Sequence, residues 1–172
     1  MKIKRWEFLG VFLVFGIGTL LHFTYEWSDQ NSLVALFSPV NESVWEHLKL
    51  AFYGMLFYAV IEYLFAGHDH KNFLFAKAVS SIIAAALVVV LYYGYTEFID
   101  QSLAMDIVIF AFAIILAQII SYLLIRINLF FEGINYIGII LIFIVVMAFS
   151  AYTFEPPVYK LFTESGINLF LK

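Results

Sequence analysis

Ser38-Pro39-Val40-Asn41-Glu42-Ser43-Val44-Trp45-Glu46-His47 is a dense polar block, and the apolar run that follows it as far as Ala66 is long enough to cross a bilayer. A transmembrane helix needs ~20 predominantly apolar residues, so the block reads as the mouth of a membrane span and not as part of a soluble core. Four further runs qualify on either side of it. The expected spans lie at about residues 6–25, 44–66, 73–95, 102–125 and 135–154. The runs are continuous and do not alternate, which argues for helices over the strands of a barrel. The expected fold is therefore an all-α membrane protein. It is a bundle of five transmembrane helices with an interfacial or re-entrant outer segment (Leu33 to Phe37, too short to span) and an interfacial C-terminal tail. The tail begins where Glu155-Pro156-Pro157 stops the fifth helix. Its apolar positions are Val158, Leu161, Phe162, Ile167, Leu169 and Phe170. No repeat or linker divides the chain, so residues 1–172 read as a single integral membrane domain.

Composition supports the lipid bilayer as the main partner. The chain is 64% hydrophobic and 13% charged, against about 45–50% and about 25% for soluble domains. A net charge of −4 argues against nucleic acid, because phosphate binding needs a basic face. The absence of cysteine excludes disulfides, thiolate metal sites and a cysteine nucleophile. The first apolar run follows Lys2, Lys4 and Arg5, as in a signal peptide, but it is too long for an h-region. It also ends in His22, Tyr25, Glu26 and Trp27 with no small-residue cleavage site, and it is expected to be retained. Lys2, Lys4, Arg5, Lys71, Lys77 and Arg126 fall on one side of the expected topology, and Asp29, Glu42, Glu97 and Asp100 on the other. The positive-inside rule then predicts a multi-pass plasma-membrane protein with a cytoplasmic N-terminus and an extracytoplasmic C-terminus. Lys49, Lys160 and Lys172 are exceptions.

The outer side gathers the candidate chemistry. His22 and Glu26 are four residues apart, hence on one helix face. Glu42, Glu46 and His47 open the second span, Asp106 lies about one turn into the fourth, and Glu155 follows the fifth. Two imidazoles with carboxylates at one helix mouth suit a divalent metal such as zinc, manganese or iron, or general acid–base chemistry. His22, His47, Glu26 and Glu42 form the expected metal set. Glu46, Asp106 and Glu155 are further ligand candidates, and no catalytic residue is assigned. A structural reading competes: Ser43-Val44-Trp45-Glu46 matches a capping box, and Asp106 reads equally well as an interfacial acid. Trp27 and Trp45 read as interface anchors. Towards the other side, Glu62 and Arg126 are expected either to form an interhelical ion pair or to leave Arg126 snorkelling to the headgroups. Gly10, Gly16 and Gly18 are expected to permit close helix contact. His68-Asp69-His70 reads as a solvated connection. No phosphate-binding glycine loop, H-E-x-x-H or G-x-S-x-G motif occurs.

His22-Phe23-Thr24-Tyr25-Glu26-Trp27 and Leu36-Phe37-Ser38-Pro39-Val40-Asn41-Glu42-Ser43-Val44-Trp45-Glu46-His47-Leu48-Lys49 resemble the signature of a bacterial multi-pass membrane family of unknown function. Tyr152-Thr153-Phe154-Glu155-Pro156-Pro157 and Leu161-Phe162 resemble its C-terminal pattern. The resemblance implies a small bacterial integral membrane protein and brings no activity with it. Asn41-Glu42-Ser43-Val44 with Trp45 and His47 is also similar to a segment of adiponectin-receptor-like membrane hydrolases. Those proteins hold zinc with histidines from separated helices and cleave lipid amides; this chain has fewer helices and no later His-x-x-x-His. Three functions stand as expectations. The first is a membrane protein that binds a divalent cation or small polar ligand at its extracytoplasmic face. The second is a metal-dependent hydrolase acting near the outer leaflet. The third is a non-catalytic subunit held by a protein partner in the membrane.

Overall fold

Charge placement sets the first helix. Lys2, Lys4 and Arg5 are exposed, whereas Ile3, Glu7, Gly10, Val14, Gly18 and Leu21 are buried at spacings of three and four, the period of one helix face. The computed structural model describes residues 2–127 and 133–163. Among them, five helices are long and apolar enough to cross a membrane. They are α1 (Lys2–Trp27), α2 (Val44–Glu62, continued by a π-helical turn Tyr63–Gly67), α3 (Phe73–Thr96), α4 (Leu103–Ile127) and α5 (Ile134–Phe154). Each expected span matches one of them. The largest difference is at the start of α1, where the basic residues extend the helix on its exposed side.

The helices α1, α2, α3 and α4 close a ring, each packing on the next and α4 back on α1, while α5 lies outside it against α3 and touches α2. Glycine allows two of these contacts. A Cβ on Gly18 would lie 3.0 Å from the Leu50 carbonyl oxygen, and one on Gly138 would lie 2.7 Å from Phe75 Cα. Gly16, expected to serve the same purpose, faces open space. Lipid replaces water around the ring, so Phe143, Ile144 and Met147 of α5 remain exposed on its outer side.

The connection between α1 and α2 folds back onto the bundle. α1 ends with Asp29 and Gln30 in the left-handed region (φ 57° and 58°), and the Gln30 N–H reaches the Tyr25 carbonyl at 3.1 Å, a Schellman-like closure made without glycine. A short 3₁₀ turn, Val34–Leu36, buries Ala35. The Ser38 hydroxyl then accepts from the Tyr25 N–H (3.0 Å) and donates to the Leu21 carbonyl (2.6 Å), two groups that are partners in the helical ladder. Lys49, buried in α2, holds the same segment from the other side. Its ammonium donates to the carbonyls of Ala35 (2.8 Å) and Ser38 (3.3 Å) and to Glu46 Oε2 (2.7 Å).

Three expectations need correction. Glu62 does not pair with Arg126. Its partner is Lys77, 2.5 Å away, and the exposed Arg126 guanidinium lies over the Tyr122 ring at 5.7 Å. Lys77, counted among the loop charges, is inside α3 and 1% exposed. Trp45 is not a lipid anchor but packs within 4.8–5.4 Å of Phe149, Tyr152 and Phe162. That aromatic cluster docks the turn Lys160–Phe162 on the bundle. Ile167, Leu169, Phe170 and Lys172 lie outside the described residues.

Candidate metal and ligand site at the mouth of the ring

Ser38 anchors the returning chain at Leu21 and Tyr25, so α2 starts beside the last turns of α1. Ser43 then caps α2, its Oγ accepting from the Glu46 N–H at 3.3 Å. The Ser43 carbonyl accepts twice from His47, from the backbone N–H at 3.2 Å and from ring Nδ1 at 2.9 Å. A carbonyl can only accept, so Nδ1 carries the hydrogen, and in the neutral ring Nε2 then presents its lone pair. Metal-binding histidines are commonly oriented by a hydrogen bond of this kind on the other ring nitrogen.

His47 Nε2 faces two other groups. His22 Nε2 is 3.2 Å away and Glu42 Oε2 is 3.4 Å away; ligand atoms of the three residues all lie within 4.8 Å of one another. A hydrogen on His22 Nε2 would satisfy the first contact. With His47 neutral the carboxylate would still confront a lone pair; a proton on His47 Nε2, or a cation among the three atoms, removes that conflict. Two of the three edges suit a bound cation, since a tetrahedral shell with ligands at ~2.0–2.1 Å has edges of ~3.3–3.4 Å; the His22–Glu42 edge is wider, within 4.8 Å. With three protein donors, such a shell keeps a position open.

The site opens into a cavity of about 690 Å³ between α1 to α4, in the half of the ring away from the N-terminus. Phe15, Leu50, Val88 and Phe110 form apolar walls, and Thr19, Gln101 and Asp106 are polar. Asp106 accepts from the Tyr95 hydroxyl (2.6 Å) and Gln101 Nε2 (3.2 Å); it shares the cavity with His22, Glu42 and His47 without joining their cluster. Glu26 shares the His22 face, but it is exposed and outside the cluster. Glu46 is buried elsewhere, accepting from the Val40 N–H (3.0 Å), Lys49 (2.7 Å) and the Thr153 hydroxyl (2.9 Å). The Ser43 half of the expected capping box is present; the Glu46 side chain is spent on these groups. Glu155 is exposed at the end of α5, which contributes nothing to the cavity.

Sequence reasoning passed over Glu7. It is buried in α1 and meets Lys77 at 2.9 Å near the opposite end of the ring. The available signal was its place on the stripe shared with Gly10 and Gly18.

Five helices fit to cross a membrane, enclosing polar groups and facing lipid with apolar ones, define a multi-pass membrane protein. The chain matches, over residues 1–168, a family of unknown function (DUF6512), and it belongs to that family. No curated protein and no solved structure matches the chain.

Proposed function

We propose that this protein binds one divalent cation (zinc, manganese or iron) at its extracytoplasmic face through His22 Nε2, His47 Nε2 and the Glu42 carboxylate. The supporting observation is the 3.2 Å approach of two imidazole Nε2 atoms, one of them on a ring whose Nδ1–H donates to the Ser43 carbonyl. Lys2, Lys4 and Arg5 are exposed at the other end of α1, which favours a cytoplasmic N-terminus and an outward-facing site.

The apolar cavity favours a second reading on the same residues, a hydrolase acting on an acyl-chain substrate near the outer leaflet. A metal with an open position supplies an activated water and polarises a carbonyl. The walls formed by Phe15, Leu50 and Phe110 would accommodate the chain, with Asp106 as an additional polar group.

The test is elemental analysis and zinc calorimetry of detergent-purified protein. The expected result is one metal per chain, lost in His22→Ala and in His47→Ala while helical circular dichroism is retained. Wild-type binding no tighter than in folded His47→Ala would sink the proposal. Turnover of outer-leaflet lipids, abolished by chelator, separates the hydrolase from the binder. Membrane-impermeant labelling of Asp29→Cys but not Lys71→Cys from outside tests the orientation.

A further inference from the structure

Glu7 and Glu62 stand fifteen residues from His22 and His47 along α1 and α2, about 22 Å at the helical rise. Lys77 projects from α3 between them, its ammonium 2.9 Å from Glu7 Oε1 and 2.5 Å from Glu62 Oε2. None of the three side chains is more than 4% exposed. From α4, Gln118 Oε1 lies 3.4 Å from the ammonium and the Ser121 hydroxyl donates to Glu7 Oε1 at 2.6 Å. From α2, the Tyr58 hydroxyl donates to the Trp6 carbonyl, and the Tyr58 ring lies 5.8 Å from the ammonium. Glu7, Tyr58, Glu62 and Lys77 are the titratable groups that meet here from the ring helices, among the described residues.

Neither charge nor hydrogen bonding closes in this cluster. Two ionised carboxylates and one ammonium leave a net negative charge, and uncompensated charge in a dry interior is costly. Glu7 Oε2, Glu62 Oε1 and Gln118 Nε2 are buried without a hydrogen-bond partner. Lys77 already stands between the two carboxylates, so a metal ion would face an ammonium; a proton on a carboxylate meets no such obstacle.

We propose that Glu7 and Glu62 form a proton-binding site that shares one exchangeable proton, with Lys77 balancing the charge that remains. The bound state is neutral, and release of the proton leaves the core with one uncompensated negative charge. Val14, Ala51, Met55, Ala84, Ile114 and Ala117, all fully buried, form an apolar layer between this cluster and the histidine cavity. The proton therefore exchanges with the face that carries the N-terminus, and the site stands independently of the metal proposal.

The test is infrared spectroscopy of wild-type protein in detergent or nanodiscs. The expected spectrum at neutral pH contains the C=O stretch of a buried, protonated carboxyl group that shifts on deuteration and disappears at alkaline pH. Glu62→Gln and Glu7→Gln each leave one carboxylate opposite Lys77, so either variant should lose the band. Thermal midpoints should fall with rising pH in the wild type and stay flat over that range in the variants. Absence of the band in folded wild-type protein overturns the proposal whatever the variants do. A band that survives unchanged in a folded variant also overturns it, as does a wild-type midpoint that follows added sodium or potassium at fixed pH instead of following pH.

Discussion

Lys49 and Lys77 are both sequestered in the ring, at 0% and 1% exposure, and each is in contact with glutamate. Lys49 is saturated. An ammonium has three donors, and they meet the Ala35 carbonyl, the Ser38 carbonyl and Glu46. One carboxylate cancels one ammonium, and the other contacts of Glu46 are the Val40 N–H and the Thr153 hydroxyl. The result ties residues 28–43, α2 and α5 together. Lys77 draws on the same chemistry without closing it, since two carboxylates meet one ammonium and three buried polar atoms lack partners. Saturation and charge balance are what separate a structural pin from a site able to take something up.

The largest effect should come from Lys77→Met, which leaves the charge shared by two buried carboxyl groups without its counter-ion. Removing one member of a buried ionic group costs about 3–5 kcal/mol, read as a lowered midpoint in thermal unfolding in detergent. Adding Glu7→Gln and Glu62→Gln to Lys77→Met should restore much of it. No recovery would mean that Lys77 matters for its volume and not for its charge.

The comparison is sharpest in the glutamates. Glu46→Gln leaves Lys49 without a counter-charge and should cost about 3 kcal/mol. Glu62→Gln puts a neutral amide where the pair holds a proton and should cost less than about 1 kcal/mol, because Lys77 keeps Glu7 as a partner. Equal losses in the two variants would erase the distinction between pin and site.

Helix geometry accounts for what could be read from the sequence. All five spans were legible, because an apolar run of that length has few alternatives in lipid. His22, Glu42 and His47 stood out as polar residues at a helix mouth, and the structure brings them together. Glu26 shows the limit of the spacing argument: a shared face does not ensure that a neighbouring helix reaches the same height. Lys77 was counted with the loop charges because a lysine a few residues into a span looks the same in sequence whether it snorkels or points inwards. Its partners are seventy and fifteen residues away, and only the order of helices around the ring makes them neighbours.

Gly10 carries the comparison into packing. A Cβ at this position would overlap the Gln118 amide and the Tyr58 ring, so Gly10→Ala should cost about 1–3 kcal/mol through overpacking and disturb the Glu7 cluster. Gly16 meets nothing within 4 Å. Gly16→Ala should therefore be neutral or stabilise by up to about 1 kcal/mol through helix propensity. Thermal midpoints of the two proteins check the contrast.

Ser43→Ala should have a modest cost, and it separates two contributions made by one residue. The Oγ caps α2 through the Glu46 N–H, and its loss should cost about 1 kcal/mol. The carbonyl that orients His47 belongs to the backbone and remains. Stability should drop modestly while zinc affinity stays within a few-fold of wild type, measured by calorimetry on the same preparation. A large loss of affinity with little loss of stability would mean that the hydroxyl, and not the backbone, sets the imidazole. The outer cluster would then depend on a side-chain network, as the Lys49 pin does, and not on the path of the chain.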